Sequence, residues 1–495
     1  MQQDEAARSE IGVLAVDSRL DVARECKGLR RQIGWWTDLA HDELRAELDG
    51  AHGGCGRIEA GTYTVQGDNH AGEIRLDTTM PHPGAPIPRA PAQKERDMSE
   101  PQRHCASTIA PALKVTSWAL LGALVTFGAV TVTGTVTAAR AIVRPAKHKR
   151  EPVRVMRADE QAYTLTTRAV VEARAPGSYT VLYRDGVALL GDIVEQTRWS
   201  VTRRVVAWNG AAPWDAQWVR YTSAPELTHT ELEIPVEDVE IATELGALPA
   251  WLFLQASSND DWAIHVHGRG ASRREPLRGV RQAHREGWTS LVISYRNDAD
   301  WRPSADGRYG LGLTEAQDVA AALRYARSHG ATRIMLVGWS MGGAAVLATL
   351  LDGDAEDVVA IMLESPVTSW LDVFRFEARE IGLLPWIAPL AWRLLRSPLA
   401  PITTGVADPL ELERLEVHER GDELRVPILI LHSKQDRVVP YRSSRRLHRL
   451  RPELVQLEIF PRGLHTRLWN EDPTRWNDVV RAWFRRHRCP RRAER

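Results

Sequence analysis

Apolar and charged positions divide this chain into stretches with different periods. From 115 to 139 no charged residue interrupts the run between Lys114 and Arg140. That length crosses a hydrocarbon layer of about 30 Å as a helix, so it predicts one membrane-spanning helix within a segment 98–157. Thr126, Gly128, Thr131, Thr133, Gly134 and Thr135 make the run less apolar than most spans, and a buried core helix is the competing expectation. From 158 to 235 short runs alternate with turn residues. Tyr179 to Tyr183, Asp185-Gly186 and Val187 to Leu190 read as a hairpin, and 201–207 and 218–221 as further strands. A small β-rich module packed as an accessory sheet is predicted there.

From 236 to 488 strand-length apolar runs alternate with helical periodicity. The strands are drawn at 239–243, 249–255, 262–267, 291–294, 334–337, 358–363, 428–431 and 455–460. Thr314-x-x-Gln317 has the spacing of a capping box ahead of Val319, Ala322, Leu323 and Ala326. Asp472-Pro473 opens a last helix with Trp476, Val479, Val480, Trp483 and Phe484 on one face. Such alternation predicts an α/β fold with a mostly parallel central sheet covered on both faces. A long insertion at 369–410, apolar around Leu383 to Trp392, predicts a helical cap.

The ends carry less. Residues 1–97 show helical spacing at 20–48 and a proline-rich linker at 81–91, with no chemistry and a partly disordered character expected. Met98 stands just ahead of the apolar run, so it is a candidate translation start, and 489–495 is a basic tail. Arg140, Arg144, Lys147, Lys149, Arg150, Arg154 and Arg157 follow the apolar run, against Arg103 and Lys114 before it. The positive-inside bias therefore predicts a cytoplasmic catalytic domain.

Composition removes some function classes. With 64 basic and 64 acidic side chains the formal charge is zero, which gives no field for nucleic acid. Cys26, Cys55, Cys105 and Cys489 are scattered, implying neither a disulfide framework nor a zinc site. The 43% hydrophobic content is enough for a full core and an added domain.

Chemistry concentrates at Gly338-Trp339-Ser340-Met341-Gly342-Gly343, where an apolar strand meets a small-residue helix. Gly-x-Ser-x-Gly in that context is a nucleophile elbow: the turn is so sharp that its flanking residues must lack bulk. A serine needs a base, and the base needs an anion to fix its tautomer. Asp436 follows the strand at 428–431 and His465 the strand at 455–460, giving the order Ser340, Asp436, His465. A loop aspartate and a surface histidine are the commoner readings of either residue alone; three in order, each after a suitable strand, favour a catalytic set. Oxyanion donors are expected from the amides of Gly268 or Arg269, in His267-Gly268-Arg269-Gly270, and from Met341. A dinucleotide loop at Gly268-x-Gly270 lacks its third glycine, and a metal pair at His265-x-His267 lacks a third ligand. Substrate contacts are expected from His267, Trp339, Arg296 and Asn297.

Residues 262–484, through His267-Gly268, the serine motif, Asp436 with Val438-Val439-Pro440, and Gly463-x-His465, resemble the α/β-hydrolases. The closest resemblance is to membrane-anchored bacterial serine hydrolases of the serine-aminopeptidase and prolyl-oligopeptidase-like branch. That resemblance implies Ser340 as nucleophile, His465 as general base, Asp436 as orienting acid, no cofactor and no metal. It implies cleavage of an ester or amide bond in a small-molecule or peptide substrate through an acyl-enzyme. An acyltransferase, or a non-catalytic membrane-tethered binding module on the same fold, are the alternatives.

Overall fold

The computed structural model describes residues 109–145, 153–224, 228–256, 260–298, 301–353 and 355–488. Expectations for 1–97, Met98, the proline-rich linker, the four cysteines, Lys147, Lys149, Arg150 and the tail at 489–495 fall outside the described residues. The first described element is α1 (Ile109–Val143), which extends in both directions past the predicted apolar run. Its stretch Leu124–Val143 is long and apolar enough to cross a membrane by length and composition.

The last turns of α1 belong to the domain built on the large sheet described below. Ala139, Ile142 and Val143 are buried in its core, whereas Val132 is exposed. Burying Ile142 and Val143 contributes about 3–6 kcal/mol before ordering costs, so this end of α1 is docked and not freely tethered.

Six strands follow: β1 (Val153–Asp159), β2 (Thr164–Arg168), β3 (Tyr179–Tyr183), β4 (Gly186–Gln196), β5 (Ser200–Gly210) and β6 (Trp218–Thr222), with the one-turn helix α2 (Val171–Arg174) after β2. They close into an antiparallel barrel of order β1-β2-β5-β4-β3-β6. The β-rich module expected at 158–235 takes the form of this barrel, which begins earlier, at Val153. Register shifts along β4 and β5 bend the ribbon, and closure removes the edges that short strands would expose. The predicted hairpin is present, with Arg184 and Asp185 as its turn and Gly186 already paired to Tyr183. Inside, Arg203 is buried, and its guanidinium donates to the carbonyls of Ala173, Gly177 and Gly191, which makes burial of the charge tolerable.

The larger domain holds an eight-stranded sheet ordered β14-β13-β12-β11-β9-β10-β8-β7. In chain order these are β7 (Val236–Thr243), β8 (Gly246–Phe253), β9 (Asp261–Val266), α3 (Leu277–Arg285), β10 (Thr289–Ile293), α4 (Glu315–Ser328), β11 (Arg333–Trp339), α5 (Met341–Leu351) and β12 (Val358–Glu364). Then come α6 (Trp370–Glu380), α7 (Ile387–Leu395), α8 (Ala400–Thr404), β13 (Ile428–Ser433), α9 (Tyr441–Leu450), β14 (Val455–Phe460), α10 (Leu468–Glu471) and α11 (Pro473–His487). All neighbours from β10 through β14 run parallel, while β7 and β8 form an antiparallel hairpin at one edge. Because β10 lies on one side of β9 and β11 on the other, winding reverses there and a crevice opens at their carboxyl ends.

Local signals hold unevenly. Asp472 caps α11 by accepting from the Arg475 amide, as the Asp-Pro pair predicts. The Thr314 capping box does not form: Gln317 instead accepts from Arg296, and the Glu315 carboxylate takes the Gly310 and Gly312 amides. Thr314 already has helical backbone angles, φ −75° and ψ −34°, whereas a capping residue needs the extended region to turn its side chain onto the first-turn amides. In the insertion, Ile387, Ala388, Ala391, Trp392 and Leu395 of α7 are buried on the core. Most of its apolar centre is thus ordinary packing.

Candidate active site

The serine lies where β11 ends and α5 begins. Ser340 has φ 51° and ψ −117°, a conformation that side chains other than glycine rarely adopt. The glycines around it are required by contact. A Cβ on Gly338 would stand 2.8 Å from the Gly343 Cα, and one on Gly342 would collide with the carbonyls of Val266 and His267. The turn therefore sits directly against the end of β9, leaving the Ser340 hydroxyl at the crevice with 8% of the residue exposed.

His465 follows β14 and is half-buried. Its Nδ1 lies 2.8 Å from Asp436 Oδ2 and its Nε2 2.8 Å from Ser340 Oγ. An ionised carboxylate only accepts, so Nδ1 carries the proton and Nε2 accepts from the serine. Asp436 is fully enclosed. Burial pushes its carboxyl up, but the His465 and His432 rings beside it hold it far below the usual carboxylate range. Its other oxygen accepts from the amides of Val438 and Val439, both at 2.9 Å. His432, at the end of β13, is a second imidazole against Asp436, 3.3 Å from Oδ2. Sequence reasoning did not single it out.

The expected oxyanion residues separate in role. Gly268 lies against the nucleophile, where a Cβ would come 3.2 Å from Ser340 Cβ, but its amide already donates to Glu275 Oε2 at 2.7 Å. Gly268 is corrected as a donor: a charge-assisted bond commits its N–H. Its carbonyl accepts from the Tyr295 hydroxyl and His267 Nδ1, both at 2.9 Å, and from the Ala271 amide at 3.1 Å. In a planar trans peptide the Arg269 N–H points opposite to that held carbonyl. The Arg269 side chain reaches back to the carbonyls of Ala141 and Arg144, capping the end of α1. Met341 opens α5, where the first amides have no intrahelical acceptor.

None of the four expected substrate contacts faces the crevice as a free group. His267 is fully buried, donates from Nε2 to Asp298 Oδ2 at 2.6 Å and stacks on Tyr295. Burial opposes its charge, yet the Asp298 carboxylate and the Gly268 carbonyl outweigh it and raise the ring's pKa. Trp339 is enclosed against His265, with Nε1 donating to Glu364. Arg296 forks onto Asp318 and reaches Gln317 and Glu244. Asn297, at φ 69°, ties the loop to Arg308 and Ser304. Each lies near the strand ends, as the sequence implies, but each side chain is spent on structure. His265 donates or accepts at Ser290, with burial lowering its pKa to about 3, while His267 turns to the opposite layer; the two rings do not converge as a metal pair.

Beneath the site lies a hub that the sequence did not disclose. Glu364, at the end of β12, accepts from Trp339 Nε1, Trp476 Nε1, the Leu468 amide and Arg278 Nη2, and both charged side chains are wholly buried. Arg278 also donates to the Thr466 carbonyl at 2.9 Å. The histidine loop is gripped from the barrel side too, by Asn470 donating to the Ser178 carbonyl and by Arg467 over the Tyr179 ring.

Comparison with known proteins gives a consistent neighbourhood. The model of the prolyl oligopeptidase family matches residues 297–488. Protein YfhR of Escherichia coli O157:H7, itself uncharacterised, is 24% identical over 250 residues, covering 50% of this chain and 78% of that protein. Human protein ABHD12B is 28% identical over 229 residues, covering 43% of this chain and 57% of that protein. The solved structure of the Pyrococcus furiosus esterase Pf2001 covers 53% of this chain and 96% of its own, at 18% identity and TM-score 0.41.

Proposed function

Because this chain belongs to the α/β-hydrolase superfamily and is a hydrolase of the esterase or peptidase kind, we propose that it cleaves an ester or amide through an acyl-enzyme on Ser340. The observation that carries this reading is the continuous hydrogen-bonded line Ser340–His465–Asp436. Ser340 Oγ attacks the acyl carbonyl as its proton passes to His465 Nε2, and Asp436 stabilises the imidazolium. His465 then protonates the departing alcohol or amine. Water repeats the sequence, with His465 as base, to free the acid and restore the serine. The Arg269 and Met341 amides are assigned to the oxyanion, in place of Gly268.

The test is labelling with a fluorophosphonate probe, followed by a panel of p-nitrophenyl esters and aminoacyl anilides. Ser340 in the wild-type chain should be modified and Ser340→Ala left untouched; equal labelling of both would refute the nucleophile.

His267 and Tyr295 act as positioning residues for the Arg269 amide, because they hold the carbonyl of the same peptide. Removing either should lower kcat by about 10–100-fold, below the cost of losing an oxyanion donor outright, with KM little changed. Both His267 nitrogens face acceptors, so only the charged ring donates to the Gly268 carbonyl while staying anchored by Asp298. Its folded pKa is raised, which means the contribution is complete at low pH and is lost as pH rises through that value. An alkaline fall in wild-type kcat that is absent from His267→Asn, measured on one soluble ester, is the expected signature. Identical pH profiles would discard the role.

A further inference from the structure

α1 is 35 residues long, about 52 Å at 1.5 Å per residue, whereas a hydrocarbon layer needs only about 30 Å. The surplus is accounted for at its C-terminal end. Val132 is exposed, but Thr135, Ala139, Ile142 and Val143 are buried, and Arg269 caps the last carbonyls. If the residues up to Val132 occupy a bilayer, the helix leaves it where burial begins. The cap meets α1 at that level: a Cβ on Gly134 would touch Ile387 Cδ1 at 3.1 Å, and Arg140 Nε donates to the Thr403 carbonyl.

Around these two contacts the cap carries large apolar side chains in the open. Ile402 is 81% exposed and Leu399 57%, and Leu384 and Trp386 are also exposed. Leu390 and Arg393 of α7 follow Trp386 at helical spacing on the outward side, while Arg396 is already paired with Glu413 and lies over Trp392. Apolar side chains beside an exposed arginine are what an interfacial helix presents to anionic headgroups. The inner side of the same cap faces the chemistry. Glu377 of α6 is enclosed; burial first, and then the nearby Asp436 charge, push its carboxyl well above the usual range.

We propose that the α7–α8 surface of the cap, with Leu384, Trp386, Leu399 and Ile402, docks on an anionic bilayer beside α1, so that the enzyme draws long-chain acyl substrates from the membrane. The claim about substrate rests on the hydrolase reading above; the claim about the surface does not. Partial insertion of four apolar residues adds to the hold of a single helix.

The experiment uses the full chain in vesicles of phosphatidylcholine and phosphatidylglycerol, with Ser replacing Cys26, Cys55, Cys105 and Cys489 and an environment-sensitive fluorophore on Ile402→Cys. Its emission should shift to the blue and be quenched by nitroxide-labelled lipid, while the same fluorophore on Arg449→Cys stays water-like. Equal, water-like behaviour at both sites overturns the docking surface. In parallel, wild type and Leu399→Ser/Ile402→Ser are compared on p-nitrophenyl acetate in water and on p-nitrophenyl palmitate dissolved in the vesicles. The double variant should lose about tenfold on the bilayer ester, in line with two apolar side chains withdrawn from lipid, and less than twofold on acetate. Equal loss on both esters, or none on either, refutes delivery from the membrane. A wild-type chain whose fluorophore is shifted but which cleaves neither ester refutes the hydrolase reading and leaves the docking surface standing.

Discussion

Replacing His465 by alanine is expected to lower kcat by about four to six orders of magnitude, and Asp436→Asn by about four, with the fold intact. The two losses have different causes. Without His465 nothing accepts the proton from Ser340 Oγ, which is now 2.8 Å from Nε2. With asparagine at 436 the imidazole survives, but an amide N–H₂ can stand where the carboxylate accepted from Nδ1. The ring then carries its proton on Nε2 and points a donor at the serine. Steady-state rates on the best substrate of the ester and anilide panel check both, with near-ultraviolet circular dichroism as the control for folding. An Asp436→Asn enzyme retaining a tenth of wild-type kcat would remove Asp436 from the catalytic set. The same carboxylate has a stability signature. Its folded pKa is depressed, so its contribution is complete above the unfolded value near 4 and is lost as pH falls below it. Wild type should therefore lose stability in acid more steeply than Asp436→Asn.

Glu364→Gln is the other large effect expected. Arg278 and Glu364 are both fully enclosed, and removing the charge of one partner leaves a desolvated guanidinium, a change that costs about 3–5 kcal/mol. For a domain of this size that lowers the melting temperature by about 10 °C. Rate should fall as well, by about 10–100-fold, because the Glu364–Arg278 pair holds the Leu468 amide and the Thr466 carbonyl of the histidine loop, and small misplacements of a base are costly. The double variant Glu364→Leu/Arg278→Met separates the two effects. It removes both charges but leaves the Trp339, Trp476 and Leu468 N–H groups without an acceptor, so it should recover the melting temperature only in part, and the rate not at all, since the loop contacts remain absent. Recovery of both would show the pair to be structural only.

The sequence was most informative where chemistry and backbone geometry coincide. Gly338 and Gly342 flank Ser340 because a Cβ on either would strike backbone, and one on Gly343 would strike the Pro366 ring; that necessity is visible in the spacing alone. The order of strands and helices was equally legible, because each strand is an apolar run between turn residues and each crossover helix has its own stripe. Legibility ended at side chains whose partners are remote in sequence. His267, Trp339, Arg296 and Asn297 stand at strand ends, where ligand contacts commonly arise, yet each is consumed by a residue on another element: Asp298, Glu364, Asp318 and Arg308. His432 and Glu364 gave the opposite error. Nothing in their neighbours along the chain marks them, because what makes them important is convergence from β11, β13, α10 and α11.

By itself, then, the sequence determined the sharp turn that presents Ser340, the identity and order of the residues that answer it, and the alternation that builds the sheet, since all three depend on local sterics and on periods of two and 3.6 residues. Tertiary structure alone decided that the Gly268 amide is committed to Glu275, that the β-rich stretch closes into a barrel against the histidine loop, and that the end of α1 is locked to the cap and to Arg269. These depend on which donors find which acceptors across hundreds of residues, and burial settles that competition only once the chain has folded.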